Sequence, residues 1–286
     1  MNNIKKLVNN VQIFKDHYLN DKWSTVKIGK FYNIAPTTIS KILRENGISI
    51  SKKIGTGRKR VYNVDHDYFN IINTQEKAYI LGFLYADGYI TNNNKVGITL
   101  KLEDKEILNI IKKELKSEYP LTYHEASYNE NYKKTKKVRF SITSSIMFNK
   151  LKHIGCTENK SNSLKFPSLD IIPNHLIVHF IRGYFDGDGS IYKRITTHKG
   201  KQYDNIGFSF IGTKEFIESV VSNLPFCYNG RLYKEKRTFK NVWEFKTGGL
   251  KRSQIFYNWL YNDATIYLNR KKLKFEQLLN LDVQRL

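Results

Sequence analysis

Apolar residues recur at helical spacing in three short blocks at the start of the chain. Val8, Val11, Phe14 and Tyr18 mark one face of a first helix. Ser24 is placed to cap a second, with Val26, Ile28 and Phe31 expected inward. Pro36 then sits where a first helical turn tolerates it, Ile39, Ile42 and Leu43 follow, and Gly47 ends the third helix. The short turn Asn33-Ile34-Ala35 predicts a helix-turn-helix unit, all-α, over residues 1–50. Its exposed face would carry Thr37, Thr38, Ser40, Lys41 and Arg44, side chains that suit phosphates and base edges. A solvated three-helix bundle is the plainer alternative.

Apolar periodicity lapses over 51–68, where Lys52, Lys53, Arg58, Lys59 and Arg60 crowd around two glycines. This predicts a basic linker, either tracking phosphates and a minor groove or serving as a solvated tether. Beyond it the pattern runs twice. VGITL (96–100) answers IGFSF (206–210), and KEILNIIKKEL (105–115) answers KEFIESVVSNL (214–224). KVRFSI (137–142) answers NVWEFK (241–246), MFNKLKHIG (147–155) answers IFYNWLYND (255–263), and NKSNSLKF (159–166) answers NRKKLKF (269–275). Each copy reads helix, strands, helix, strands, helix. Residues 69–170 and 171–286 are therefore expected to be two repeats of an α+β fold, forming a pseudo-twofold pair.

Each repeat begins with a stretch that a helix alone does not explain: ILGFLYADGYI at 80–90 and IRGYFDGDGSI at 181–191. Glycine and aspartate are poor helix residues. Gly82 and Ala86 are four apart, as are Gly183 and Gly187, so each pair shares one helical face. A face of small residues predicts two helices whose backbones nearly touch. Asp87 and Asp188 then fall at helix C-termini, where the dipole disfavours an anion. A twofold would bring both carboxylates together, and a shared divalent cation resolves the repulsion. Gly88 and Gly189 are expected to take a left-handed turn into the following strand.

The two stretches resemble the LAGLIDADG signature, and order and spacing agree over residues 70–286. The resemblance implies a single-chain, two-repeat homing endonuclease. It would have two αββαββα repeats whose strands form a saddle over the major groove of double-stranded DNA. The motif helices would form the interface between repeats. The last acid of each motif, here Asp87 and Asp188, would bind Mg²⁺ beside Gly88 and Gly189 and help cut the two strands, leaving short 3′ overhangs. Tyr85 departs from the signature where Asp186 keeps it, at a position the resemblance marks as structural. The resemblance also implies a basic residue late in each repeat, with Lys160 favoured over Lys165 and Lys271 over Lys272. Neutralising backbone phosphates is the alternative role for these lysines.

Composition agrees with a nucleic-acid partner. The 286 residues include 48 Lys and Arg against 26 Asp and Glu, a formal net charge of +22, and a chain this basic meets a polyanion. Alternation in KKVRFSITS puts Val138, Phe140 and Ile142 inward, and Lys137, Arg139, Ser141 and Thr143 outward towards a groove. Lys236, Arg237 and Lys240 mark a hairpin of the second repeat. Cys156 and Cys227 form no zinc pattern, His175, His179 and His198 lack ligand spacing, and no nucleophilic triad is evident. No apolar run is long enough for a membrane span, MNNIKKLVNN lacks a leader's apolar core, and Met1 with the terminal VQRL counts against an intein. The expectation is a monomeric, Mg²⁺-dependent, site-specific DNA endonuclease, cytoplasmic, nucleoid-associated or in an organellar matrix, with no obligate protein partner. A DNA-binding regulator on a degenerate nuclease fold and a maturase binding intron RNA are the alternatives.

Overall fold

Phe14, Ile28, Ile39 and Leu43 are wholly buried together. They join α1 (Val11–Leu19), α2 (Thr25–Tyr32) and α3 (Pro36–Glu45) in a small unit. Ser24 caps α2, its Oγ accepting from the Lys27 N–H at 3.1 Å. The turn is tight: Asn33 is left-handed at φ 51°, and a Cβ on Gly29 would lie 2.5 Å from the Ile34 carbonyl oxygen. Val26 and Phe31, expected inward, are instead 60% and 67% exposed. The apolar residues of α2 spread around the helix, and Ile28 with Tyr32, four apart, forms the face that meets the core. Thr37, Thr38, Lys41 and Arg44 are exposed and Ser40 is half-buried.

This computed structural model describes residues 11–21, 23–48, 50, 62–126, 134–158, 160–198, 200–228, 232–234 and 241–283. Arg58, Lys59, Arg60, Lys236, Arg237 and Lys240 lie outside the described residues. The chain divides into two compact units between residues 61 and 62. Residues 62–68, grouped with the linker in the sequence, pack on the second unit. The Asp65 N–H donates to the Leu115 carbonyl and the Glu118 N–H to the Asn63 carbonyl, both at 2.9 Å, and Tyr68 and Phe69 are buried.

The second unit repeats one order of elements twice. The first repeat runs α4 (Gln75–Asp87), β1 (Gly88–Thr91), β2 (Lys95–Lys101), α5 (Lys105–Glu114), β3 (Thr122–Ala126), β4 (Thr135–Thr143) and α6 (Ser145–His153). The second runs α7 (Ile177–Asp188), β5 (Ser190–His198), β6 (Lys201–Gly212), α8 (Lys214–Ser222), β7 (Tyr233–Lys234), β8 (Trp243–Gly248) and α9 (Leu250–Tyr261), followed by α10 (Asn269–Val283). Both sheets are antiparallel, in the orders β1-β2-β4-β3 and β5-β6-β8-β7. The architecture is two αββαββα repeats, α+β as expected.

Strand alternation decides what each sheet offers. Val138, Phe140 and Ile142 are buried against the helices, whereas Arg139 and Thr143 are exposed and Lys137 and Ser141 half-buried on the open face. In the second sheet Phe208, Phe210 and Phe245 are fully buried, and Phe208 stacks on Phe256 of α9 at 4.1 Å. The ladders correct the alignment of repeats read from sequence. Gly97 pairs with Ser141 in the first sheet and Gly207 with Gly248 in the second. Arg139 therefore corresponds to Lys246 and not to Trp243, a slip that exchanges the two faces of the strand.

Candidate functional site

The motif helices α4 and α7 pack through their glycines. A Cβ on Gly82 would lie 2.0 Å from the Phe180 carbonyl oxygen and 3.0 Å from the Tyr184 nitrogen. One on Gly183 would lie 2.0 Å from the Tyr79 carbonyl oxygen and 2.9 Å from the Phe83 nitrogen. Each glycine meets the matching groups of the other helix, as a pseudo-twofold requires. Further along, a Cβ on Gly187 would lie 2.3 Å from the Ala86 Cβ and 3.2 Å from Asp87 Oδ2. All four small residues predicted for the interface thus lie on the two packed helices.

Asp87 and Asp188 end these helices on the same side of the contact. Burial and the neighbouring Asp188 carboxylate push Asp87 up to about 6, against the pull of Lys271 and Lys160. Asp188 keeps exposed surface, yet surrounding protein still desolvates its carboxylate and raises its pKa, again against Lys160 and Lys271. The two lysines hold corresponding backbone. Lys160 Nζ donates to the Gly88 carbonyl, and Lys271 Nζ donates to Gly189 O at 2.7 Å, Phe185 O at 2.6 Å and Gly187 O at 3.3 Å. Lys271 is buried, which lowers it to about 8. A cleft of about 180 Å³ opens here, lined by Lys160, Asp188, Ala86, Tyr184 and Ile211 among others.

No family model matches the chain. A probable translation initiation factor IF-2 of Methanocaldococcus jannaschii is 28% identical over 168 residues, which is 57% of this chain and 13% of that protein. The chain thus spans only a small part of the length of the curated relative that it matches. Among solved structures, the LAGLIDADG meganuclease I-CpaMI, bound to uncleaved DNA, superposes with a TM-score of 0.51 at 13% identity, covering 75% of this chain and 93% of its own. The chain has the LAGLIDADG meganuclease fold. The I-LtrWI LAGLIDADG homing endonuclease, bound to target DNA, superposes at 0.48 with 14% identity over 77% of this chain and 92% of its own.

Within the LAGLIDADG fold, the glycines after the acids work differently from expectation. Gly88 and Gly189 have φ of −74° and −71°, extended and not left-handed. Their small size is what the site uses: a Cβ on Gly88 would lie 2.5 Å from the Leu84 carbonyl oxygen, and one on Gly189 2.2 Å from Phe185 Cδ2. Lys165 and Lys272, the lesser candidates, pair with Glu215 and Glu276 at 3.6 and 3.9 Å.

In the LAGLIDADG unit, beside the motif position of Asp186 and Tyr85, the sequence singles out neither Arg182 nor the pair Arg270 and Asp104. Asp186 is fully buried and accepts from Tyr79 Oη at 2.8 Å, Tyr261 Oη at 2.7 Å and the Leu268 N–H at 2.7 Å. Tyr85, its departure in the first motif, is buried against Phe180 and donates to the Ile154 carbonyl. Arg182 is wholly buried, bonding to the carbonyls of Ile266 and Leu260, each at 3.0 Å, and to Gln75 of α4 at 3.3 Å. Arg270 grips Asp104 with two bonds of 2.8 and 2.9 Å, joining the second repeat to the first. The motif itself signals Asp186. Partners so remote in the chain carry no local signal.

Among the described residues no three His, Cys, Asp or Glu side chains converge as a metal cluster. Two crowded carboxylates nevertheless suit Mg²⁺, which takes one or two protein carboxylates and completes its shell with water and phosphate oxygens. Their raised pKa gives a test. A carboxyl raised on folding favours the folded state at low pH and loses that stability as pH rises through its folded pKa. Without divalent cation, the wild type is therefore expected to lose about 2 kcal/mol between pH 4 and 7 relative to Asp87→Asn. Thermal unfolding of both proteins in chelator measures this, and Mg²⁺ at pH 7 should restore the wild type alone. Parallel pH profiles for the two proteins would contradict it.

Proposed function

We propose that this chain is a site-specific double-strand DNA endonuclease, using Asp87 and Asp188 to hold Mg²⁺ at the phosphodiesters it cuts. The observation that carries this reading is the pair of desolvated carboxylates, one from each repeat, brought together by the glycine contact of α4 and α7. I-CpaMI, a solved structure that shares the fold, is a LAGLIDADG meganuclease bound to uncleaved DNA. The open face of the first sheet, bearing Lys137, Arg139 and Ser141, supplies the charge and hydrogen-bond donors for a duplex.

Mg²⁺ bound by the two carboxylates would neutralise phosphate charge and activate a water. The chain's own groups provide the frame. The helix contact fixes the two carboxylates relative to each other. The Lys271 ammonium has three hydrogens and three carbonyl acceptors, so it anchors the end of α7 and adds positive charge without a spare proton. Lys160 makes one such bond among the described residues and faces the cleft, so it can also donate to a phosphate oxygen. We assign the three-helix unit over 1–50 and the basic segment 51–61 to added duplex affinity, through Thr37, Thr38, Lys41 and Arg44 above all, and read 69–170 and 171–286, with 62–68 packed on them, as the two halves of the nuclease.

The test is cleavage of a duplex selected by the protein itself. We expect two cuts on addition of Mg²⁺ and none in chelator. Binding without cleavage in Mg²⁺ and Mn²⁺ would favour a regulator. Tighter binding to structured RNA than to duplex DNA at matched salt would favour an RNA-processing role.

A further inference from the structure

On the open face of the first sheet, Arg139 stands between two threonines. The ladders pair it with Thr99 on β2 and Thr122 on β3, so the three side chains project from one face in a row. Arg139 Nε donates to Thr99 Oγ1 at 3.2 Å. The guanidinium is exposed and has no carboxylate partner among the described residues. Val138 and Phe140, on either side in the strand, are buried and hold the backbone in place.

Thr99 occupies the Nε corner of the guanidinium. The edge that remains carries two parallel N–H groups, one on each Nη. Guanine offers two adjacent acceptors in the major groove, O6 and N7, at the spacing of that fork. We propose that Arg139, oriented by Thr99, reads a guanine in the half-site facing the first sheet. The inference rests on the endonuclease reading, because it needs a duplex lying against this face.

The second sheet holds a different pair at the corresponding position. Ser209 pairs with Lys246, and Lys246 Nζ lies 2.6 Å from Glu244 Oε2 on the same strand. Its charge is met within the protein, and an ammonium lacks the planar fork that matches guanine. The two half-sites are therefore read unequally, and the preferred duplex is not palindromic at this position.

Selection from a randomised duplex library, with uncleaved complexes of the full-length protein captured and sequenced, tests the assignment. Wild type is compared with Arg139→Ala, Arg139→Lys and Thr99→Val. We expect an asymmetric motif containing one guanine whose preference falls about 10- to 100-fold in Arg139→Ala, with every other position kept. Arg139→Lys should retain part of that preference and Thr99→Val should weaken it. A contact to phosphate alone would lower binding to all sequences equally and leave the motif unchanged. A motif that survives Arg139→Ala at every position overturns this inference and leaves the endonuclease proposal standing. Failure of the wild type to enrich any motif overturns both.

Discussion

Asp188→Asn is expected to slow DNA cleavage by roughly a thousandfold or more while leaving duplex binding within a few-fold of wild type. The loss corresponds to several kcal/mol of charge stabilisation once one of the two carboxylates that hold the cation is gone. The fold should be untouched, because asparagine has the same shape, the residue keeps exposed surface and the surrounding protein already disfavours its charge. Removing one of two crowded anions should if anything raise the melting temperature of the metal-free protein. Asp87→Asn should behave alike, and the double variant should cut neither strand. Single-turnover cleavage beside equilibrium binding separates the outcomes. A double variant that cuts at the wild-type rate would remove the carboxylates from the chemistry. Losses of binding and melting temperature in step with activity would make their role structural.

The second large effect concerns the helix contact. Gly82→Ala places a methyl 2.0 Å from the Phe180 carbonyl oxygen, and Gly183→Ala places one equally close to that of Tyr79. Both obstacles are backbone, so no side chain can swing aside, and the helices must separate along their length. We expect each change to cost about 3 kcal/mol or more, lowering the melting temperature of the second unit by about 6–12 °C. Ala86→Gly, on the same face, only adds a helical glycine and should cost about 1 kcal/mol. Near-equal melting temperatures for Gly82→Ala and Ala86→Gly would show that the contact is looser than the structure has it. Cleavage should fall along with stability in Gly82→Ala, since the two carboxylates are held by the same packing.

Sequence and structure part company according to how local each constraint is. The four-residue spacing of Gly82 and Ala86, and of Gly183 and Gly187, is a property of one helix, and it announced the contact before any coordinates. Lys160 and Lys271 both reach the carbonyl of the glycine after a motif acid, although no ungapped match of 159–166 with 269–275 sets them opposite each other. Gly88 and Gly189 were misread because residue type suggested positive φ, whereas the need is for room beside Leu84 and Phe185. The three-residue slip at β8 inverts inside and outside, and the sequence hides it because β8 buries only Phe245 and Thr247 and so carries too short an apolar alternation; the pairing of Gly207 with Gly248 fixes the register. Arg270 and Asp104 lie 166 residues apart, and nothing near either one points to the other.

The buried carboxylate of Asp186 has a bearing on how this protein is made. Its three hydrogen-bond donors come from Tyr79, Tyr261 and Leu268, and Lys271 ties down the adjoining backbone only three residues later. A nascent chain that has left the ribosome only as far as α9 carries both motif helices but lacks the amide of Leu268 and the ammonium of Lys271. The central helix pair thus gains its full support only after the segment beyond α9 has been made, and truncation before Leu268 leaves the Asp186 carboxyl with two of its three donors. Contacts between residues so far apart in the chain slow folding.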